Sequence, residues 1–328
     1  MSCLHHAAVK HYEPSGELVD LDLLPMPPRD HVSLRPFMYK YTNPKFSHNP
    51  NTVMMTSRGC GFRCFFCVPI SINFARELEY RRFFNKKPPV KMAGERRVIA
   101  EFCEIHRLGY KSVMIVDDQF LWAKERTLAI CAGVKSLGLE WGCLSRADFL
   151  TDSDVLSALA ESGCRSIDIG VESLNQKTLD FVRKDLKTET IAAAIKNCNA
   201  FNIKVKINIM LGTCPQESRR DLLKTIRTVK TLPVSQAMFS LATPFKGTEF
   251  YNFCKEKNYL VDESENIDPI KKSMVSYPLL KNGELEQLQK YAYRSFYLRL
   301  GYVLRRVRSY RNLKDFIRDL LLARKLMR

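Results

Sequence analysis

Three cysteines, Cys60, Cys64 and Cys67, fall in one short segment, Ser57-Arg-Gly-Cys60-Gly-Phe-Arg-Cys64-Phe-Phe-Cys67. Thiolates at this spacing can reach three corners of a four-iron cluster from a single tight loop. Cysteine thiolates are the usual ligands of such clusters, normally four per cluster. No fourth cysteine follows at a local spacing, which leaves one iron without a protein ligand. An open coordination position is what a catalytic metal needs and what a structural one lacks. Gly59 and Gly61 let the backbone bend closely around inorganic sulfur, and the loop's N–H groups can stabilise an anionic cluster. A zinc site would come as paired C-x2-C units or with histidines nearby, and neither is present. The other cysteines (Cys3, Cys103, Cys131, Cys143, Cys164, Cys198, Cys214 and Cys254) stand alone in apolar stretches. In a reducing compartment they read as small buried hydrophobes rather than disulfide partners.

The cysteine segment needs a scaffold, and the flanking pattern supplies one. Thr52–Thr56 reads as a short buried strand immediately ahead of it. Strands are then expected at Ser112–Val116, Glu140–Leu144, Ser166–Val171, Lys204–Leu211 and Gln236–Leu241. Helices alternate with them at Glu95–His106, Ala123–Ser136, Ser153–Ser162, Glu189–Asn199 and Glu217–Thr231, with Val98, Phe102 and Ile105 on one face of the first. Short apolar strands alternating with amphipathic helices indicate a parallel sheet with crossover helices. The fold class is therefore α/β, a partial, TIM-like barrel of six β/α units. In such folds the chemistry sits at the C-terminal ends of the strands. Asp117 and Asp118 stand at one of these ends, and adjacent carboxylates are costly if buried, so they point to a site. Residues 1–45, broken by Pro25, Pro27, Pro28 and Pro36, read as an extended leader or linker. The barrel is expected over 46–250. A basic helical extension follows over 251–328, with helices at Glu284–Arg306 and Leu313–Met327.

Cysteines at this spacing after the first strand of a six-unit β/α barrel resemble the radical S-adenosylmethionine (SAM) superfamily, over residues 50–250. The resemblance implies that the open iron of a 4Fe–4S cluster binds the amino and carboxylate groups of SAM. One electron then cleaves SAM to methionine and a 5′-deoxyadenosyl radical, which abstracts hydrogen from substrate. Phe66 matches the aromatic placed beside the adenine, though it would serve equally as a core aromatic. Asp117-Asp118 matches the polar groups that hold the methionine amine, and Arg146 would pair with the SAM carboxylate. Gly170-Val-Glu172-Ser173 resembles the family's G-x-E-S, which contacts polar parts of SAM. Asn208 and Gly212-Thr-Cys-Pro215-Gln-Glu217 match the end of the fifth strand, with one extra residue before the proline.

The leader Asp20-Leu-Asp22-Leu-Leu-Pro25-Met-Pro27-Pro-Arg29-Asp30 is similar to the linker that follows the cobalamin-binding domain in cobalamin-dependent members, a group that includes methylases and enzymes acting on lipids and tetrapyrroles. No D-x-H-x-x-G stretch and no doubly wound domain precede Pro25. Cobalamin use is thereby in doubt, and the missing domain is expected to be lost, to come from a separate cobalamin-binding subunit, or to lie beyond a fragment. Methylation or rearrangement of an anionic or membrane-derived substrate is the expected reaction. An RNA-modifying enzyme and a non-catalytic iron–sulfur protein for electron transfer or scaffolding are the alternatives. The chemistry also implies a reducing donor of flavodoxin or ferredoxin type.

The chain has 328 residues, 45% of them hydrophobic and 27% charged, so wholesale disorder is excluded. No apolar run approaches the ~20 residues that span a bilayer, and the N-terminal residues have no apolar signal core, so a cytoplasmic protein is expected. Its net charge of +17 asks for an acidic partner. From Arg294 to Arg328, eleven lysines and arginines face two aspartates. Arg299, Arg305, Arg306, Arg308 and Arg311 are interleaved there with Tyr297, Tyr302, Val303, Leu304 and Tyr310. This tail reads as a solvated helix pair, a peripheral membrane contact or a nucleic-acid surface.

Overall fold

A computed structural model of the chain describes residues 19–30, 43–68, 74–261, 272–308 and 317. Strand β1 (Asn51–Met54) is followed by the two-residue strands β2 (Ser57–Arg58) and β3 (Lys91–Met92), with helix α1 (Phe74–Phe84) between them. From there strands and helices alternate: α2 (Glu95–Arg107), β4 (Ser112–Ile115), α3 (Lys124–Val134), β5 (Glu140–Ser145), α4 (Ser153–Glu161) and β6 (Cys164–Glu172). The chain continues through α5 (Gln176–Phe181), α6 (Thr188–Ala200), β7 (Lys204–Leu211), α7 (Arg219–Thr231), β8 (Gln236–Leu241) and α8 (Glu249–Glu256), then α9 (Asn282–Tyr297) and α10 (Leu300–Arg308).

Six strands form one parallel sheet in the order β1-β4-β5-β6-β7-β8. β1 and β8 lie at opposite edges, so the barrel is open, as the six-unit pattern implies. Alternation assigns the two faces. In β7, Val205, Ile207, Ile209 and Leu211 are fully buried toward the helices, while Lys204, Lys206, Asn208 and Met210 take the inner face. Helix α2 buries the expected Val98, Phe102 and Ile105. Trp141 fills the core beside Phe102 and Phe120, its indole N–H donating to Ser162 O at 3.0 Å.

Cys131, Cys143, Cys164, Cys198, Cys214 and Cys254 are buried, as expected of packing residues. Burial pushes the Cys131 thiol up to about 11 and those of Cys198 and Cys254 to about 12. Cys103 is the exception: it is exposed, because it lies off the apolar face of α2.

The leader is anchored on the barrel by ion pairs and by hydrogen bonds, among them Asp22 accepting from the Gly94 N–H at 2.8 Å. Arg29 pairs with Glu101 of α2 at 2.5 Å, both side chains 7% exposed. Lys45 enters the inner face of the sheet, where Asp168 accepts from it at 2.7 Å and from Lys206 at 3.1 Å.

Three expectations change. Helix α1 stands between the cysteines and Glu95, where no element was expected. The helix expected to start at Glu217 starts at Arg219, where Ser218 and Asp221 form a capping box. The single helix expected over Glu284–Arg306 is interrupted between Tyr297 and Leu300. At that break the Arg299 guanidinium lies 4.1 Å from the Phe296 ring and donates to Lys230 O at 2.7 Å, so the chain turns there. The helix expected over Leu313–Met327 lies outside the described residues, Ile317 excepted. Among the described residues no helix is long and apolar enough to cross a membrane.

Candidate active site

The excursion that carries the three cysteines is clamped at its base. β2 and β3 pair antiparallel, Ser57 with Met92 and Arg58 with Lys91, so both ends of the intervening segment are fixed together. Beneath them Asp117 accepts from the Thr56 N–H and hydroxyl, each at 2.6 Å, and from Ser57 Oγ at 2.8 Å. Asp117 is fully buried; desolvation raises its pKa and the hydrogen bonds partly offset that. The structure thus places Asp117 in the clamp. Arg126 completes it, donating to Ala93 O at 2.9 Å and to Thr56 O at 3.2 Å. Gly59 leaves the clamp at φ +92°, in a region that glycine occupies at least cost.

Two phenylalanines pin the loop on either side. Phe62 stacks on Trp122 with ring centroids 5.7 Å apart, and the Arg146 guanidinium lies 3.7 Å from the Phe62 ring. Phe65 packs edge-on against Phe181, Phe250 and Phe253, at 5.5 to 5.7 Å. Its N–H donates to Val182 O and its carbonyl accepts from the Phe250 N–H. Between these anchors the Cys67 N–H closes a turn on Cys64 O at 3.1 Å. Phe66 is half-buried against the hydrophobic core.

Cys60, Cys64 and Cys67 lie near enough in the loop to repel one another as thiolates. Burial, then repulsion from Cys64 and Cys60, pushes the Cys67 thiol up to about 12. Burial raises Cys60 too, with Cys64 and the neighbouring Asp118 adding to it. Such thiols ionise together only when a metal centre takes their charge. Among the described residues no three His, Cys, Asp or Glu side chains converge as a single ion would require. A cluster takes its thiolates on separate irons, so this donor set fits a cluster.

Beside the loop, β6 bulges between Gly170 and Glu172, and Glu172 adopts φ +65°, uncommon for a non-glycine residue. Its carboxylate accepts from Lys184 Nζ at 3.0 Å, with both side chains nearly buried. Burial disfavours the Lys184 ammonium, but Glu172 and the nearby Cys64 outweigh it and raise its pKa. Gly170 makes room for the pair: a Cβ there would stand 2.8 Å from Glu172 Oε1 and 3.1 Å from Lys184 Nζ. Ser173 is buried, its hydroxyl accepting from the Asn175 N–H at 3.1 Å.

Several buried polar atoms here lack protein partners. Arg146 binds Asp148 and the Asp185 carbonyl through Nε and Nη2, but Nη1 is unpaired. Gln119 accepts from the Arg146 N–H at 2.9 Å and leaves its Nε2 unused. Asn208 Oδ1, on the inner face of β7 opposite Gly170, is also unpaired. Buried polar groups are nearly always satisfied. These donors and acceptors suit a zwitterionic amino-acid moiety.

Residues 54–229, more than half of the chain, match the model of the Radical SAM superfamily. The chain belongs to the radical SAM superfamily. Members of this superfamily bind a 4Fe–4S cluster and SAM, and the thiols and unpaired polar groups described above fit both. The chain is 30% identical over 309 residues to an uncharacterised methyltransferase of Pyrococcus horikoshii, an alignment covering 91% of this chain and 61% of that one. It is 25% identical to the cytidylyl-2-hydroxyethylphosphonate methyltransferase of Streptomyces wedmorensis, over 81% of this chain and 49% of the relative. The chain therefore spans less than two thirds of these relatives.

Among solved structures, the cobalamin-dependent SAM radical enzyme OxsB matches with a TM-score of 0.59 at 13% identity, over 81% of this chain and 44% of that one. The radical SAM methyltransferase TsrM from Kitasatospora setae matches with a TM-score of 0.54 at 16% identity, over 72% and 46%. These likenesses show the shared radical SAM fold.

Sequence reasoning missed Lys184 and Trp122. Lys184 lies 12 residues after Glu172 in a basic, helix-breaking stretch and looks like any surface lysine. Only the short helix α5 folds it back onto the strand end.

Proposed function

We propose that this radical SAM chain cleaves SAM reductively and serves methyl transfer. One observation carries the reading: three cysteines clamped in one loop adjoin a buried Lys184–Glu172 pair and unpaired polar atoms of Arg146, Gln119 and Asn208. In this reading Cys60, Cys64 and Cys67 hold the cluster, and its remaining position is left to SAM. When bound, the cluster supplies the electron that splits SAM to methionine and a 5′-deoxyadenosyl group. The chain's own residues bind and orient. Lys184 and Arg146 attract the SAM carboxylate, while Asp118, Glu172 and Asn208 receive its amine and hydroxyls. Ser173 supports that end of β6, and Phe62, Phe65 and Phe66 keep water from the loop. Asp117 holds the loop's base.

Methyl transfer is supported by relatives that carry methyltransferase names, two of which are given above. Cobalamin, carried by a further domain or a partner subunit, is supported by the likeness to OxsB and TsrM. The inner face of the sheet also exposes apolar side chains, Val53 at 47% and Met238 at 40%, to receive such a group or the substrate. The test is anaerobic reconstitution with iron and sulfide, then SAM and dithionite. Formation of 5′-deoxyadenosine is expected, together with methyl transfer when cobalamin and substrate are added. A fully loaded cluster that leaves SAM intact with candidate substrates present would overturn the reading.

A further inference from the structure

A groove of about 300 Å³ opens on the flank of the cysteine loop and is lined directly by Cys64 and Cys67. Its other walls come from α1 and the turn after it, from Arg183 beyond α5, and from the start of α8. Among the described residues five cations line it, Arg63, Arg81, Lys86, Lys87 and Arg183, against the one carboxylate of Glu249. Glu249 already pairs with Arg183, so the groove keeps a large positive excess. Small-molecule cavities are mostly apolar with a few polar anchors, and this lining is the reverse. Phe65 supplies the one aromatic surface among the described lining residues, and the Arg183 guanidinium lies 5.2 Å from that ring.

We propose that this groove is the docking surface of an acidic, low-potential one-electron carrier of the flavodoxin or ferredoxin class. The inference rests on the reading that Cys64 and Cys67 hold the cluster. Complementary charge raises association rates and fixes orientation more than it raises affinity. Here it would bring the donor's cofactor against the segment of the loop that carries Cys64 and Cys67, which line the groove. The transfer is balanced: the donor loses one electron and the cluster gains it. The SAM-binding groups Lys184, Glu172 and Asn208 do not line the groove, so donor and SAM can be bound together.

The test compares three forms of the reconstituted protein: wild type, Arg63→Glu/Lys86→Glu, and the control Lys224→Glu/Arg227→Glu. The control carries the same charge change on α7, away from the loop. Each is mixed with reduced flavodoxin at low and high salt, and separately with dithionite, and cluster bleaching is followed by stopped flow. The groove variant should be reduced by flavodoxin at least tenfold more slowly than wild type and lose most of the salt dependence. Reduction by dithionite should stay within twofold, and the control should match wild type with both reductants. Equal flavodoxin rates in wild type and groove variant would overturn the proposal. So would an equal loss in the control, which would assign the effect to net charge, or a parallel loss with dithionite, which would mean a damaged loop. Titration of fluorescently labelled oxidised flavodoxin gives a readout independent of turnover. If wild type bleaches with neither reductant, the cluster reading fails, whereas docking still predicts at least tenfold weaker binding for the groove variant than for the control. Equal affinities would reject it.

Discussion

Lys184 and Glu172 are both buried, and removing one partner of a buried ion pair costs ~3–5 kcal/mol because the other charge is left unpaired. Lys184→Met should lower the urea midpoint accordingly and weaken SAM binding at least tenfold. Lys184→Met/Glu172→Gln should recover most of the stability but not the SAM affinity, which separates folding from binding. Glu217 gives a pH signature. It is 2% exposed, and burial raises its pKa from 4.5 to about 7; neighbouring Ser173 and Thr178 oppose the shift, yet neither carboxylate oxygen closes a hydrogen bond of good geometry. The folded state holds this proton more tightly than the unfolded chain. Its contribution is therefore fully favourable below about pH 4.5 and is lost as pH rises toward 7, by up to ~3 kcal/mol. Glu217→Gln should flatten that loss in urea titrations at pH 5 and pH 8, and an unchanged slope would assign it elsewhere. The cysteines were legible in the sequence because their spacing is local, and Glu172 because Gly170 precedes it in a short motif. Lys184 was not, since only tertiary folding distinguishes it among 52 lysines and arginines.

The element α9 shows what pattern alone leaves out. An edge strand offers unpaired N–H and C=O groups that invite other strands. Along β8, Tyr297 Oη accepts from the Ala237 N–H at 3.2 Å and donates to its carbonyl at 2.8 Å. Tyr293 Oη accepts from the Phe239 N–H at 3.2 Å, and Gln289 Nε2 donates to the Phe239 carbonyl at 2.8 Å. The helix thus caps the sheet edge with side chains in place of a seventh strand. Tyr293→Phe/Tyr297→Phe should cost ~2–4 kcal/mol, by leaving buried backbone groups unpaired, and should promote association at that edge. An unfolding midpoint equal to wild type would show that water replaces the hydroxyls without loss. From sequence, Tyr297 reads with the basic tail as a binding residue, because a 3.6-residue period identifies a helix and its apolar face but not the strand it will cover. The β2–β3 clamp was equally invisible, since two-residue strands have no period to detect.

At the scale of the molecule, the alternation of strands and helices from Ser112 to Leu241 made the parallel sheet readable, because strands buried on both faces are short apolar runs. The described part of the cysteine loop was not readable, because its conformation is fixed by distant groups: Asp117, Arg126 and the aromatic residues of α5 and α8. The leader is similar, its Lys45 finding Asp168 across more than a hundred residues of sequence. Those long-range contacts fix the cysteine loop beside the buried polar groups at the strand ends. The central claim is accordingly tested by quantifying 5′-deoxyadenosine after anaerobic reconstitution with iron, sulfide, SAM and dithionite. Wild type should produce it, while Cys60→Ala, Cys64→Ala and Cys67→Ala should each produce none and Cys131→Ala should match wild type. Wild type with a fully loaded cluster and no product, or a cysteine-loop variant that retains activity, would contradict the account.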